Sequence, residues 1–190
     1  MLIAITGGIG AGKSVVSEVL RNMGYKVYDC DYEAKVLINT SPIIKHEFIE
    51  RFGVNIYNRE GKINKEVLSS IIFNDHDALH WVNSIVHPIV KEDIYKWLHN
   101  RHESINFFET AILTEAGMQT MVNEVWNVTA PIETRISRVM KRNRTTRDKV
   151  VERVKSQSAN LERLDIPVRT IVNDNNTAIL PQVIALIHKL

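Results

Sequence analysis

Gly7, Gly12, Lys13 and Ser14 satisfy G-x-x-x-x-G-K-[ST] inside the stretch ITGGIGAGKS, residues 5–14. The spacing suits phosphate. Glycines let the main chain curl until successive N–H groups point inward, and no side chain blocks the approach. A nucleotide-binding loop of Gly8, Gly10, Ala11, Gly12, Lys13, Ser14 and Val15 follows, with Lys13 reaching the β- and γ-phosphates and Ser14 ligating Mg²⁺. The motif sits after an apolar run and before an amphipathic one, the strand-to-helix context that the chemistry requires.

Acids come next. Asp29 and Asp31 lie in KVYDCD (26–31) and Glu109 in INFFET (105–110). If both runs are strands of an open α/β sheet, all three acids stand at carboxyl ends, where such sheets bind ligands. Alternation along a strand sends Asp29 and Asp31 to one side and Cys30 to the other. Asp31 at the strand tip suits a base that orients a substrate hydroxyl and accepts its proton; it equally suits the cap of a following helix. Glu109 suits a carboxylate that holds a water on Mg²⁺.

A third group is cationic. Nine Lys or Arg residues lie between Arg135 and Lys155, opposed only by Asp148 and Glu152. Arg138 and Arg142 are four apart on one helical face, and Arg147 follows the polar turn NRTT. A lid built from these helices would bring Arg142 and Arg147 to the nucleotide, the other basic residues facing solvent as an ordinary charged surface does.

The elements that must hold these groups alternate. Five buried strands are predicted, at 2–6, 26–31, 105–110, 125–130 and 169–174, with helices at 12–24, 132–143, 146–164 and 180–190. The expected architecture is a three-layer α/β/α P-loop NTPase fold with a parallel five-stranded sheet. Residues 32–104 are too long for one crossover and read as helices around a polar turn, NREGKI. The expected organisation is a core of 1–31, 105–134 and 166–190, a helical substrate-binding insertion of 32–104 and a lid of 135–165.

Composition narrows the class. The chain of 190 residues carries 44% hydrophobic and 24% charged residues, a net charge of +2 and one cysteine, Cys30. No internal disulfide is possible, which suits the cytoplasm. No apolar run approaches the ~20 residues that span a bilayer, and the apolar N-terminus lacks the basic flank of a signal peptide. The small net charge argues for no nucleic-acid partner. A GTPase needs N-K-x-D and D-x-x-G; NKEV at 64–67 lacks the aspartate and D-x-x-G is absent. A small-molecule kinase remains, and an insertion of this size argues for a large acceptor.

The chain resembles the dephospho-CoA kinase family over nearly its whole length. ITGGIGAGKS is similar to that family's opening, and VYDCDYEAK to its D-x-D stretch. NREGKINKEVLSSIIFND and VNSIVHPIV resemble its D-G-x-[IL] and H-P segments, TAILTEAG its P-L-L-F-E, and KRNRTTRDKVVERVKSQ its basic lid. The resemblance implies transfer of the γ-phosphoryl of ATP to the ribose 3′-hydroxyl of dephospho-CoA, with Mg²⁺. The expected state is a monomer, with weak homo-oligomerisation as the alternative, and no membrane partner. The resemblance also implies Asp31 as general base, Lys13 as phosphate anchor and Arg142 as lid arginine at the phosphates. His87 falls at the H-P position and would line the acceptor site with Asp31 and Glu109; without the resemblance, His87-Pro88 reads as a helix kink with a core histidine. Another P-loop kinase for a nucleoside, nucleotide or small alcohol is the nearer alternative, and an ATP-binding regulator without turnover the more distant one.

Departures are visible. Val15 stands where the family often has threonine, and Glu109 and Ala111 where aspartate and proline are common. PVRTIVNDNNT is similar to A-D-x-[VI]-I-x-N-x-G, aligned so that Arg169 replaces the aspartate, Asp174 the asparagine and Asn176 the glycine. That alignment puts nucleotide affinity in question.

Overall fold

The structure, a computed structural model, describes residues 1–156 and 161–190. Residues 157–160, part of the expected helix 146–164 and of the expected lid, lie outside the described residues.

Five strands form one parallel sheet: β1 (Leu2–Thr6), β2 (Val27–Asp29), β3 (Asn106–Glu109), β4 (Glu124–Thr129) and β5 (Val168–Val172). Their order is β2-β3-β1-β4-β5, so β1 is central. Every residue of β1 is buried, which is why LIAIT is apolar without alternation. The helices are α1 (Lys13–Asn22), α2 (Cys30–Thr40), α3 (Pro42–Phe52), α4 (Lys65–Asn74), α5 (His76–His99), α6 (Ile132–Asn143), α7 (Arg147–Ser156) and α8 (Ile179–Ile187). The α/β class and the parallel five-stranded sheet are those expected from the sequence, and α6 has the expected bounds.

The chain divides into two compact units, one of residues 1–29 and 102–190, the other of residues 30–101. In the first, α1 packs on α8, and Val16, Leu20 and Val183 join Ile3, Ile5, Phe107, Trp126 and Ile171 in one core. Ile136, Val139 and Val150 form a smaller cluster that also receives Ile9 of the glycine-rich loop, so α6 and α7 are tied to that loop by apolar packing.

The second unit is helical. Ala78, Val82, Val86, Val90 and Ile94 are buried at strict four-residue spacing along α5. Trp81 meets Phe48 and Phe52 with ring centroids 5.9 and 5.3 Å apart. Pro88 lies inside α5, exposed, and the helix runs on through it. His87 beside it is half-buried, so it is not the core histidine that the bare sequence allows.

The second strand is shorter than expected, by enough to move a site residue. β2 stops at Asp29 and α2 begins at Cys30, so Asp31 is a first-turn helical residue and not a strand-tip one. Asp29 and Asp31 are therefore not paired by strand alternation. Asp31 is also not a cap, because it lies within the helix. The acidic pair Asp31 and Glu33 in that first turn suits the positive end of the helix dipole.

Candidate active site

The loop from Gly7 to Gly12 is best understood through its carbonyls. Each accepts a hydrogen bond. Gly7 O takes Lys13 Nζ at 2.9 Å, Gly8 O takes Ala11 N at 3.0 Å and Gly12 O takes Val15 N at 3.0 Å. Ile9 O takes Arg135 Nε at 3.0 Å and Gly10 O takes Arg138 Nη1 at 3.3 Å. Ala11 O takes Asn173 Nδ2 at 2.8 Å and Arg138 Nη1 at 3.4 Å. The acceptors are thus turned outward and satisfied. The N–H groups of Gly8, Gly10 and Gly12 donate to no described group, which leaves the concave side a set of unpaired donors suited to an anion. Gly12 has φ +97°, a conformation that favours glycine, and a Cβ there would collide with Asn173 Nδ2.

Lys13 opens α1, and its ammonium bridges back to the start of the loop. Ser14 and Val15 are exposed beside it, and the Ser14 hydroxyl makes no hydrogen bond among the described residues. One turn further on, Ser17 is fully buried and donates its hydroxyl to Glu109 Oε2 at 2.7 Å. Nothing in the sequence near Ser17 marks this pair, because its partner lies on another strand. Glu109 is opposite both Ile5 and Asp29 in register, which sets it at the carboxyl edge of β3. Burial holds its carboxyl above the usual glutamate range, the Ser17 hydrogen bond opposes this, the Asp29 charge adds to it, and Lys13 and Arg21 oppose it.

A half-buried carboxyl whose charged form burial disfavours is a stability cost kept for function. Because the folded state binds this proton more tightly than the unfolded chain, Glu109 lowers stability as pH rises from the ordinary glutamate value upward. Glu109→Gln is expected to melt higher at neutral pH, by about 2–4 °C per kcal/mol recovered, and to lose about 10–100-fold in activity. Thermal melts from acid to neutral pH, run beside turnover assays, check both; a lower Tm at neutral pH with full activity would contradict the assignment.

The basic helices depart from expectation. Arg135 and Arg138, both half-buried on α6, reach the loop. Arg142 is exposed and donates to its neighbour Asn143 Oδ1 at 3.1 Å. Arg147 is exposed and forms a two-pronged pair with Glu133, at 2.7 and 2.8 Å. The sequence points to Arg142 and Arg147 as the nucleotide arginines and leaves Arg135 to solvent. In this structure Arg135 and Arg138 are the arginines on the loop.

Asp31 and His87 belong to the helical unit, on the first turn of α2 and in the middle of α5. Asp31 is exposed and its carboxylate makes no hydrogen bond among the described residues.

For a divalent cation, the described residues of the loop unit offer hard oxygens only: the Ser14 hydroxyl in the loop and the Glu109 carboxylate on β3. No cluster of three carboxylate, imidazole or thiolate ligands occurs among the described residues. One or two protein oxygens completed by substrate phosphates is the way Mg²⁺ is commonly held, so the donor set fits that ion.

The profile of the dephospho-CoA kinase family matches residues 1–179. The chain belongs to the dephospho-CoA kinase family. A dephospho-CoA kinase of Bacteroides fragilis is 37% identical over 97% of this chain and 90% of its own length. A crystal structure from Thermus thermophilus superposes with a TM-score of 0.81 at 28% identity, covering 100% of this chain and 97% of the other. A dephospho-CoA kinase from Campylobacter jejuni, at 22% identity and TM-score 0.69 with 99% and 96% covered, has the same fold. A kinase of this family takes a nucleotide substrate, which is the ligand the loop geometry suits.

Set against the dephospho-CoA kinase pattern, the segment after β5 needs a one-residue correction. Asn173, not Asp174, is buried and reaches the loop: its Nδ2 donates to Ala11 O and its Oδ1 accepts from Arg138 Nη2 at 3.2 Å. Asn175, not Asn176, has φ +75°, the conformation that a glycine would supply. Asparagine tolerates that region better than most residues, and Asn175 also accepts from Arg138. In this register the pattern's asparagine is present, and its glycine is replaced by the residue best able to stand in. The asparagine is then no departure, while the pattern's aspartate stays absent, with Val168 in its place. Asn173→Ala is expected to cost about 1–3 kcal/mol, the usual penalty for stranding buried hydrogen-bonding groups, and to weaken ADP binding. Denaturant melts and calorimetric titration test this; a variant with unchanged stability and affinity would return the role to Asp174.

Proposed function

We propose that this protein transfers the γ-phosphoryl group of ATP to the ribose 3′-hydroxyl of dephospho-CoA, giving CoA and ADP, the last step of coenzyme A biosynthesis. The observation that carries the reading is the loop whose six carbonyls are all occupied while the N–H groups of Gly8, Gly10 and Gly12 are left to an anion. Family membership supplies the acceptor.

In this reading Gly8 to Val15 hold the donor's phosphates and Lys13 neutralises them. Ser14 would hold Mg²⁺ directly and Glu109, oriented by Ser17, through a water; the ion supplies charge neutralisation of the phosphate oxygens when bound. Asp31 accepts the proton of the 3′-hydroxyl as that oxygen bonds to the γ-phosphorus and the bond to the β-bridging oxygen breaks. Chain connectivity supports it: Asp31 is two residues beyond Asp29, the strand-end residue opposite Glu109. His87, and Glu109 at the strand edge, line the acceptor side. Arg142 and Arg147 act from a lid of 135–165. Their contacts with Asn143 and Glu133 are exposed to solvent, and phosphate oxygens can replace them. Residues 32–104 take the bulk of the acceptor. A monomer in the cytoplasm, without nucleic-acid or membrane partners, completes the reading; among the described residues no helix is long and apolar enough to cross a membrane.

The test is a coupled ADP-release assay with dephospho-CoA, adenosine, AMP and shikimate offered separately. Dephospho-CoA is expected to give the highest kcat/KM, with CoA as product. Faster turnover of another acceptor would overturn the reading, and nucleotide binding without ADP release from any of the four would mark a regulator.

A further inference from the structure

Arg135 does more than brace a carbonyl. Its Nε is spent on Ile9 O, but Nη1 and Nη2 make no hydrogen bond among the described residues. The guanidinium lies against Gly8, close enough that a Cβ there would collide with Nη2. No carboxylate pairs with it among the described residues, whereas Arg147 has Glu133 and Arg169 has Glu124 at 3.6 Å. Arg135 also borders a cavity of about 250 Å³, whose walls include Gly7, Gly8, Ala111, Asn127 and Thr129. The Asn127 carboxamide, on the strand beside Thr6, has no hydrogen-bond partner among the described residues either. Burial disfavours the charged form of Arg135. A half-buried cation and an idle amide that line one cavity, with no acid paired to them among the described residues, form a site suited to an anion.

We propose that this cavity receives the terminal phosphoryl group of the bound nucleoside triphosphate, with the Arg135 guanidinium and the Asn127 carboxamide as its side-chain donors. The inference rests on the kinase reading above and adds two residues to it. A tetrahedral phosphoryl group fits the volume with room for the attacking oxygen, since 250 Å³ is about eight waters' share of liquid. Its lining includes Gly7 and Gly8, at the start of the loop that would hold the preceding phosphate. During transfer the three equatorial oxygens carry the charge, and a fixed guanidinium stabilises it without reorganisation.

Titration calorimetry of Arg135→Gln, Arg135→Lys and Asn127→Ala with ADP, with a non-hydrolysable ATP analogue and with ADP plus aluminium fluoride tests it, alongside kcat. Arg135→Gln is expected to change ADP affinity by less than about threefold, to lose about tenfold or more for the other two ligands, and to lose about 10²–10³ in kcat. Arg135→Lys recovers part of the analogue binding. Equal loss for all three ligands together with a lower Tm would reduce Arg135 to a brace for Ile9 and overturn the proposal; so would unchanged binding. If Arg135→Gln does not fold, Asn127→Ala, which touches no loop carbonyl, carries the same comparison: selective loss of the analogue supports the proposal, and equal loss or unchanged binding overturns it. The binding arms need no acceptor. Wild-type protein that favours the analogue through Arg135 yet does not phosphorylate dephospho-CoA overturns only the acceptor assignment; wild-type protein that binds no nucleotide overturns both.

Discussion

Asp31→Asn is expected to bind ATP as the parent does and to turn over about 10²–10⁴-fold more slowly, the range for losing a general base. Asparagine keeps the shape and one acceptor oxygen, so the hydroxyl can still be oriented; it cannot take the proton. Asp31 sits exposed in the first turn of α2 and its carboxylate makes no hydrogen bond among the described residues, so the fold does not depend on that group. The variant loses only a favourable charge at a helix start, and its Tm is expected to stay close to the parent's. Single-turnover kinetics with saturating ATP and dephospho-CoA separate the chemical step from binding. Turnover within a few-fold of the parent would remove Asp31 from the proton transfer.

Lys13→Ala is expected to damage binding and rate together. Its ammonium closes the loop onto Gly7 O at 2.9 Å, and the same group is the one cation that the loop itself provides. Removing it takes away a charge on the phosphates and a tie across the loop. A loss of about 10²–10³ in kcat follows from a missing preorganised donor, with ATP affinity weakened by about tenfold or more. The neighbouring carbonyls stay satisfied by Arg135, Arg138 and Asn173, so the loop is not expected to unfold. ATP titration and steady-state kinetics on the same preparation decide it; unchanged values in both would contradict the phosphate-loop assignment.

What the sequence made legible was local. The glycine spacing, the apolar strand runs and the amphipathic α6 are written in neighbouring residues, and the strand-to-helix context of Lys13 follows from them. What it left dark depended on distance. Arg135, Arg138 and Arg142 share one helical face, and periodicity cannot say which turn of α6 abuts the loop; packing of Ile136 and Val139 beside Ile9 decides it, in favour of the first two. Ser17 and Glu109 meet across 92 positions. Asn173 and Asp174 are neighbours with similar side chains, and only burial distinguishes the one that holds Ala11. At Asp31 the difficulty is of another kind. Val-Tyr-Asp-Cys-Asp supports an extended reading as well as a strand that breaks into a helix, and the break comes two residues sooner.

The closeness of Gly8 to the Arg135 guanidinium has a consequence for heredity. The obstacle a methyl group at position 8 would meet is the tip of a supple side chain, not backbone, so the chain would still fold. The tip would simply be pushed off its seat. Position 8 is therefore tied to position 135: a larger residue at the first is tolerable where the second is shorter, and a lineage that enlarges position 8 alone inherits a sound protein with a misplaced charge.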